Sequence, residues 1–345
     1  MSVSSETEQP TSYIASVIGV AKALDSYGLD GTATLAEVGL DVDHTPAFDA
    51  RVPTNVLHDA IISAPEGVLD PLFGLKFAEF VWPGSYHAFG VMITSSTTLR
   101  ACCQRLRRYY AYINTADQVT FDEHGCLRYT ETSVGNEDNT ILERTYHDIG
   151  WAATMLKLVR FIASPDYAPE GVSLVIPAPE GYTQQLSDYF GCEVHYDEGQ
   201  TALCFREEDL DKPLAGGNAE LARHSECLVY EYLKNFVQFG VLNHARMALF
   251  ELLPRGNFDL DSLAEQMDLP SAQLAIELKG AGTNYQQLLA DVRRELAEEY
   301  IERSELSVNE IAYMLGFSDC SNFARSFRRW MGTSPSEYRE NKRSP

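Results

Sequence analysis

Residues 307–339 read SVNEIAYMLGFSDCSNFARSFRRWMGTSPSEYR, a run that describes two helices meeting at a tight turn. Ser307 and Glu310 have the spacing of a capping box, in which side chains satisfy the free amides at a helix start. The helix they open runs to Met314, and Gly316 lies just past its end, where a left-handed residue closes a turn. A second helix is expected over Asp319–Met331. At 100° per residue, Phe323, Phe327 and Trp330 fall within about 60° of one another and form a buried stripe. Ser321, Asn322, Arg325, Arg328 and Arg329 fall on the far side. A face of arginines among small polar groups suits a DNA major groove, where arginine pairs with guanine and asparagine with adenine. A merely solvated arginine face is the competing reading. Ser334-Pro335-Ser336-Glu337 opens a further short helix with a second capping box and proline in its first turn.

Upstream, the same pattern recurs. Leu260–Met267 precedes a turn at Asp268–Pro270 and a helix over Ser271–Lys279. Between the two units, Leu288, Leu289, Val292, Leu296 and Tyr300 recur at helical intervals through Tyr285–Glu302. Eighteen residues make a rod of roughly 27 Å. A strut of that length suits two recognition helices set about one DNA turn, roughly 34 Å, apart.

Ser307–Arg339, together with GTNYQQLLADVRRELA at Gly282–Ala297, resembles the signature of the AraC/XylS family of transcription regulators. The resemblance implies an all-α C-terminal domain of seven helices carrying two helix-turn-helix units. It implies base contacts at Cys320, Ser321, Asn322 and Arg325, with Arg328 and Arg329 on phosphates. The first unit departs from the family pattern: AQLAIELK (Ala272–Lys279) offers only Gln273 and Lys279 as donors, and its turn carries Asp268 where glycine is common. The second unit is therefore expected to supply most of the specificity and the first to position or pack.

The resemblance continues upstream through Phe48–Pro53, Asp70–Glu79, Phe89–Tyr109 and Cys204–Leu214. These pieces are similar to the long, arabinose-binding-like effector domain of the subgroup that includes ornithine- and arginine-responsive regulators. The implication is a small-molecule sensor that dimerises. Trp82, Tyr86, His87, Tyr109 and Tyr112 are the candidate effector contacts, because aromatics with a few polar tips are usual in such pockets. An ordinary core with satisfied hydroxyls competes with that assignment.

Residue patterning makes the N-terminal half α+β, helices plus an antiparallel sheet. Helical spacing dominates Ile14–Phe80, Thr97–Ile113, Tyr146–Ala163 and Thr183–Tyr189. Phe89–Thr94, Gln118–Asp122, Cys126–Ser133, Val172–Ile176, Glu193–Tyr196 and Thr201–Phe205 read as strands, with a hairpin turn at Glu123–Gly125. Arg100, Arg105, Arg107 and Arg108 are expected on a solvated helix face paired with acids. The predicted organisation is a disordered tail (1–12), a sensor domain (13–215), a connecting helix that is a candidate dimer contact (216–240), a DNA-binding domain (241–340) and a short tail (341–345).

The chain has 345 residues and a formal charge of −23, which looks adverse for DNA. From Phe317 onward, however, six basic residues face three acids, leaving +3 where phosphates would be met. The polar, acidic N-terminus lacks the form of a signal peptide, and no apolar run is long enough to span a membrane. A cytoplasmic, nucleoid-associated protein is expected. Seven scattered cysteines without CxxC spacing predict reduced thiols rather than a disulfide framework or zinc site. No metal, phosphate-loop or dinucleotide signature is present, so neither a cofactor nor an enzyme is expected. The expected function is a sequence-specific regulator, an activator tuned by a small metabolite, with double-stranded promoter DNA as partner, a homodimeric state, and RNA polymerase admitted as a further partner. The alternatives are a ligand-independent or architectural DNA binder and an enzyme domain fused to a DNA-binding module.

Overall fold

The computed structural model describes residues 10–40, 50–65, 67–131, 141–234, 241–302 and 306–343. The chain divides into two compact units, Met1–Gln238 and Phe239–Pro345.

The first unit begins with a strand, β1 (Thr11–Tyr13), paired antiparallel with β2 (Arg51–Pro53). Thr11 and Ser12 were expected in a disordered tail. Ser12 instead pairs with Val52, and Thr11 is held by Arg51, whose guanidinium donates to Thr11 O at 2.8 Å and to Tyr112 O at 2.6 Å. Residues 1–9 of that expected tail lie outside the described residues. Helices α1 (Ile14–Ser26), α2 (Gly31–Glu37), α3 (Thr54–Ile62), α4 (Phe73–Phe80), α5 (His87–Thr94) and α6 (Leu99–Tyr109) follow. The long helix α7 (Ile141–Ile162) crosses α4 at a glycine pair: a Cβ on Gly74 would lie 2.5 Å from the Gly150 nitrogen, so no larger residue fits.

Two expectations fail here for the same reason, burial on more than one side. The strand-like run Phe89–Thr94 is part of α5. Phe89, Met92 and Ile93 are buried and Val91 is 38% exposed, so the apolar residues wrap the helix and its period is lost. On the arginine face of α6, Arg100, Arg105 and Arg108 do pair with acids, but their side chains are buried rather than solvated, and Arg107 is half-buried. Arg100 meets Asp211 and Glu207 at 2.8 Å each, and Arg108 meets Glu226 at 2.7 Å. Arg105 lies 3.5 Å from the same Glu226.

Strands β3 (Asp117–Phe121), β4 (Cys126–Glu131), β5 (Gly171–Ser173), β6 (Val194–His195) and β7 (Thr201–Cys204) form one sheet in the order β3-β4-β7-β5-β6. Its pairs are antiparallel except β5–β6, which is parallel, so the sheet is mixed. The register sets Cys126 opposite Cys204, and the two are joined as a disulfide, against the expectation of reduced thiols throughout. Neighbouring strands bring together cysteines 78 residues apart, which sequence spacing does not reveal. Helix α8 (Thr183–Phe190) lies between β5 and β6 in sequence, and α9 (Glu207–Leu210) follows β7. The connecting helix is α10 (Ala219–Lys234), packed on α5 within the first unit. Residues 235–240 of the expected connector lie outside the described residues.

The second unit is helical throughout its described residues: α11 (Val241–Leu252), α12 (Leu260–Gln266), α13 (Ser271–Gly280), α14 (Tyr285–Glu302), α15 (Val308–Met314), α16 (Cys320–Met331) and α17 (Pro335–Arg343). Residues 341–343, expected in a tail, continue α17. Leu249, Leu263, Leu274, Val292, Ile311 and Phe323 meet in one core, so the two helix-turn-helix units share the strut α14 as their common wall. Among the described residues of the whole chain, no helix is long and apolar enough to cross a membrane.

Candidate nucleic-acid interface and effector cavities

The second helix-turn-helix is built from α15, a turn and α16. Ser307 Oγ accepts from the Glu310 amide at 3.2 Å while Glu310 accepts from the Ser307 amide at 2.7 Å, so the capping box closes both ways. Those hydrogen bonds hold the Glu310 carboxyl below its ordinary range. Gly316 turns the chain with φ +68°, and a Cβ there would sit 2.2 Å from the Phe258 ring. The turn is clamped from the strut. Arg293 of α14 donates at 2.8 Å to both Leu315 O and Gly316 O, satisfying carbonyls left free at a helix end. Its guanidinium lies 4.9 Å from the Phe258 ring centre and 4.7 Å from that of Phe317. Burial lowers the Arg293 pKa from its ordinary value. Sequence reading missed this residue; the only signal was an arginine directly after Val292 in the apolar stripe.

Helix α16 is capped by Asp319, which accepts from the Asn322 amide at 2.8 Å, a bond that lowers the Asp319 carboxyl pKa. Phe323 and Phe327 are fully buried, and Phe317, Phe323, Phe327 and Tyr338 follow one another at ring distances near 5.5 Å. That stripe fixes which face looks outward. Ser321, Arg325, Arg328 and Arg329 are exposed, whereas Cys320 and Asn322 are half-buried. Asn322 donates to Ser318 Oγ at 3.0 Å and accepts from Arg325, so the two candidate base readers already touch. Arg328 lies 3.5 Å from Glu337, which partly offsets its charge. Arg293, Ser318, Asn322, Arg325 and Arg329 border an open groove of about 570 Å³, a concavity lined by three arginines. Such a groove suits the phosphates and guanine edges of a duplex.

In the first helix-turn-helix, Asp259 caps α12 by accepting from the Ser262 amide at 2.7 Å. Asp268 occupies the left-handed turn position with φ +54°, the place Gly316 takes in the second. Leu274 and Leu278 are fully buried. Ala272, Gln273, Ala275, Ile276 and Lys279 are exposed, and Gln273 donates to Glu277 at 2.8 Å. Sequence reading named Gln273 and Lys279 on this helix but passed over Ile276, which is 72% exposed.

The five candidate effector contacts separate. Trp82 and Tyr86 meet at a cavity of about 290 Å³ beside Phe89, Lys157 and Phe161. Trp82 is 53% exposed and carries Lys157 Nζ 4.0 Å over its ring. Tyr86 also lines a second cavity of about 140 Å³ and hydrogen-bonds Ser16 at 3.0 Å; burial pushes its phenol up to about 12. His87, Tyr109 and Tyr112 line neither cavity. His87 and Tyr112 pack against Tyr13, and Tyr109 donates to Glu226 at 2.7 Å as part of the buried charge network.

The smaller cavity has the richer chemistry. One edge is a polar chain: Ser12 and Thr54 lie 3.1 Å apart, Thr54 donates to Asn114 at 3.2 Å, and Asn114 donates to Asp117 at 2.7 Å. The lining is otherwise largely apolar, from residues such as Leu57, Phe73, Phe77 and Met155. The buried Thr154 hydroxyl, which lines both cavities, has no hydrogen-bond partner among the described residues. Sequence reading named none of Asn114, Asp117 or Thr154, because two distant segments, the entry to β3 and the middle of α7, supply them.

Residues 28–214 match the arabinose-binding N-terminal domain of AraC transcription regulators, and residues 263–341 match a helix-turn-helix domain. The chain is 28% identical over 344 residues to the Ornithine utilization regulator of Pseudomonas aeruginosa, covering 96% of this chain and 99% of that protein. It is 26% identical over 292 residues to the regulator VirS of Mycobacterium tuberculosis, with 81% and 82% of the two chains covered. The crystal structure of CdpR from Pseudomonas aeruginosa aligns with a TM-score of 0.44 at 21% identity, over 89% of this chain and 97% of that one. With an AraC-type domain matching over half of its length and two helix-turn-helix units behind it, the chain belongs to the AraC family of DNA-binding transcription regulators.

Proposed function

We propose that this regulator is a sequence-specific activator whose DNA reading centres on α16 and whose activity answers to a small metabolite held in the first unit. The observation that carries the DNA reading is the two-faced α16: Phe323 and Phe327 lock one side into the core, and Arg325, Arg328 and Arg329 stand exposed on the other. Arg325 and Asn322 read base edges, helped by Ser321 and Cys320. Arg328, Arg329 and, in the first helix-turn-helix, Gln273 and Lys279 settle on the backbone or its flanks. A protein of charge −23 binds DNA only if its cations are gathered, and the arginine-lined groove gathers three.

The metabolite belongs in the 140 Å³ cavity, which combines apolar walls, the polar chain ending in the Asp117 carboxylate, and the Thr154 hydroxyl it shares with the larger cavity. The relative named for ornithine utilization supports a small amino-acid-like effector. In the same proposal residues 13–215 are the sensor, 241–340 the DNA-binding domain, and the protein is a cytoplasmic homodimer without catalytic activity. The exposed Leu221 and Leu228, 45% and 62% accessible on α10, are its dimer contact, and RNA polymerase is a further partner.

The test is binding of the full-length protein to fragments of its own upstream region, titrated with salt and competitor DNA. The expected result is a saturable, salt-sensitive complex that resists competitor and weakens by about 1–3 kcal/mol in Arg325→Ala. Equal, weak binding of both proteins to every fragment would refute it.

A further inference from the structure

The two helix-turn-helix units carry the same burial pattern, and it sets their exposed residues in register. Leu274 and Leu278 of α13 and Phe323 and Phe327 of α16 are each a fully buried pair four residues apart. Asp268 and Gly316 hold the matching left-handed turns, at φ +54° and +68°. Ile276 stands two residues after Leu274, as Arg325 stands two after Phe323. On a helix of 100° per residue, Ile276 lies about 180° from the midpoint of Leu274 and Leu278, at the centre of the outward face. It is 72% exposed there, flanked by the exposed Ala272, Gln273 and Ala275.

We infer that Ile276 is a specificity-determining residue that reads the 5-methyl group of a thymine in the major groove, so that the first helix-turn-helix selects thymine where the second selects guanine. The inference rests on the proposed DNA reading and reverses the view of the first helix-turn-helix as a positioning element. An outward isoleucine contributes nothing to the core, and in isolation an exposed apolar side chain needs no explanation. Its position alters that, because it occupies the site from which the second helix-turn-helix extends Arg325. The apolar surface a base pair offers in the major groove is the thymine methyl. The small Ala272 and Ala275 beside it let the helix approach a base edge, and Gln273 stands next to it with the amide geometry suited to adenine.

The experiment starts from the duplex that full-length protein selects from a random-sequence pool. Each thymine is then replaced singly by deoxyuridine, which removes the methyl and keeps the base pairing. The expected result is that one such replacement, outside the guanines whose effect depends on Arg325, weakens wild-type binding about four-fold, the value of one buried methyl. Ile276→Ala should bind the parent duplex correspondingly more weakly and be indifferent to that replacement. Ile276→Arg should move the preference at that base pair from thymine to guanine. Because Ile276 is exposed, thermal unfolding of both variants should match wild type. If Arg325-dependent guanine selection holds while every deoxyuridine duplex affects wild type and Ile276→Ala alike, the inference falls and the proposed function stands. If the wild type selects no sequence, both fall. If Ile276→Ala leaves DNA binding intact and lowers only transcription, Ile276 faces a protein and the inference is overturned.

Discussion

Gly316 concentrates more structural demand than any recognition residue. Its φ of +68° is closed to most side chains, and the space a Cβ would need is filled by the Phe258 ring. Gly316→Ala is expected to destabilise the C-terminal unit by about 2 kcal/mol or more, at least 1–2 of it from the left-handed backbone. Chemical denaturation followed through Trp330 fluorescence measures this, and an unchanged midpoint would contradict the turn geometry. Gly316 and the Ser307–Glu310 box were legible from sequence because their causes lie within a few residues. Arg293 was not. It acts on carbonyls 22 and 23 residues away, and only folding brings α14 against that turn.

At the scale of elements, α6 and α10 are joined by charge. Glu226 sits with a side chain 17% exposed, 2.7 Å from Arg108 and 3.5 Å from Arg105, and it also accepts from Tyr109. Burial would raise its carboxyl pKa, but Arg108, Arg105 and the Tyr109 hydrogen bond outweigh burial and hold it below its usual 4.5. A depressed carboxyl gives stability that is complete above the unfolded value near 4.5 and is lost as pH falls through the lower folded value. The first unit should therefore weaken on acidification below about pH 4.5. Glu226→Gln should cost roughly 3 kcal/mol at pH 7, since two buried guanidinium groups lose their shared counter-charge. Its stability should also depend less steeply on pH between 5 and 3. Parallel pH profiles for wild type and variant would dismiss the clamp. The existence of α6 was readable from its period, whereas the fate of its arginine face was not. The acids it meets stand over 100 residues away. The reading of Phe89–Thr94 as strand failed for a related reason, since a short apolar run keeps no period when most sides are covered.

For the whole molecule, the division into two units makes the effector proposal testable without knowing the promoter. A ligand that binds only the folded first unit raises its stability by RT ln(1 + [L]/Kd), about 2.7 kcal/mol at a hundred-fold excess over Kd. Small amino acids and amines, screened by thermal unfolding, should include one that raises the transition of the first unit. Asp117→Asn should abolish that gain, and a response that survives the substitution would move the effector out of the smaller cavity. The candidate site was only partly legible here. Trp82 and Tyr86 reach a cavity, but the aromatic content that singled them out belongs equally to a packed cluster around Tyr13, where His87 and Tyr112 lie.

The elements of the C-terminal unit could be read from neighbouring residues: the caps, the turn glycine, the length of the strut and the two-faced α16. Each rests on hydrogen bonds or periodicity within a turn or two of helix, and local chemistry is written in neighbouring residues. The sequence also showed the α+β character of the first unit and, through long motifs, the family. Packing in three dimensions was needed to show that Arg100, Arg105 and Arg108 are buried, that Cys126 faces Cys204, that β5 and β6 run parallel, and that Ile276 and Arg325 hold equivalent positions. Those facts depend on which distant segments meet, and burial, charge pairing and strand register are settled by that meeting rather than by spacing along the chain.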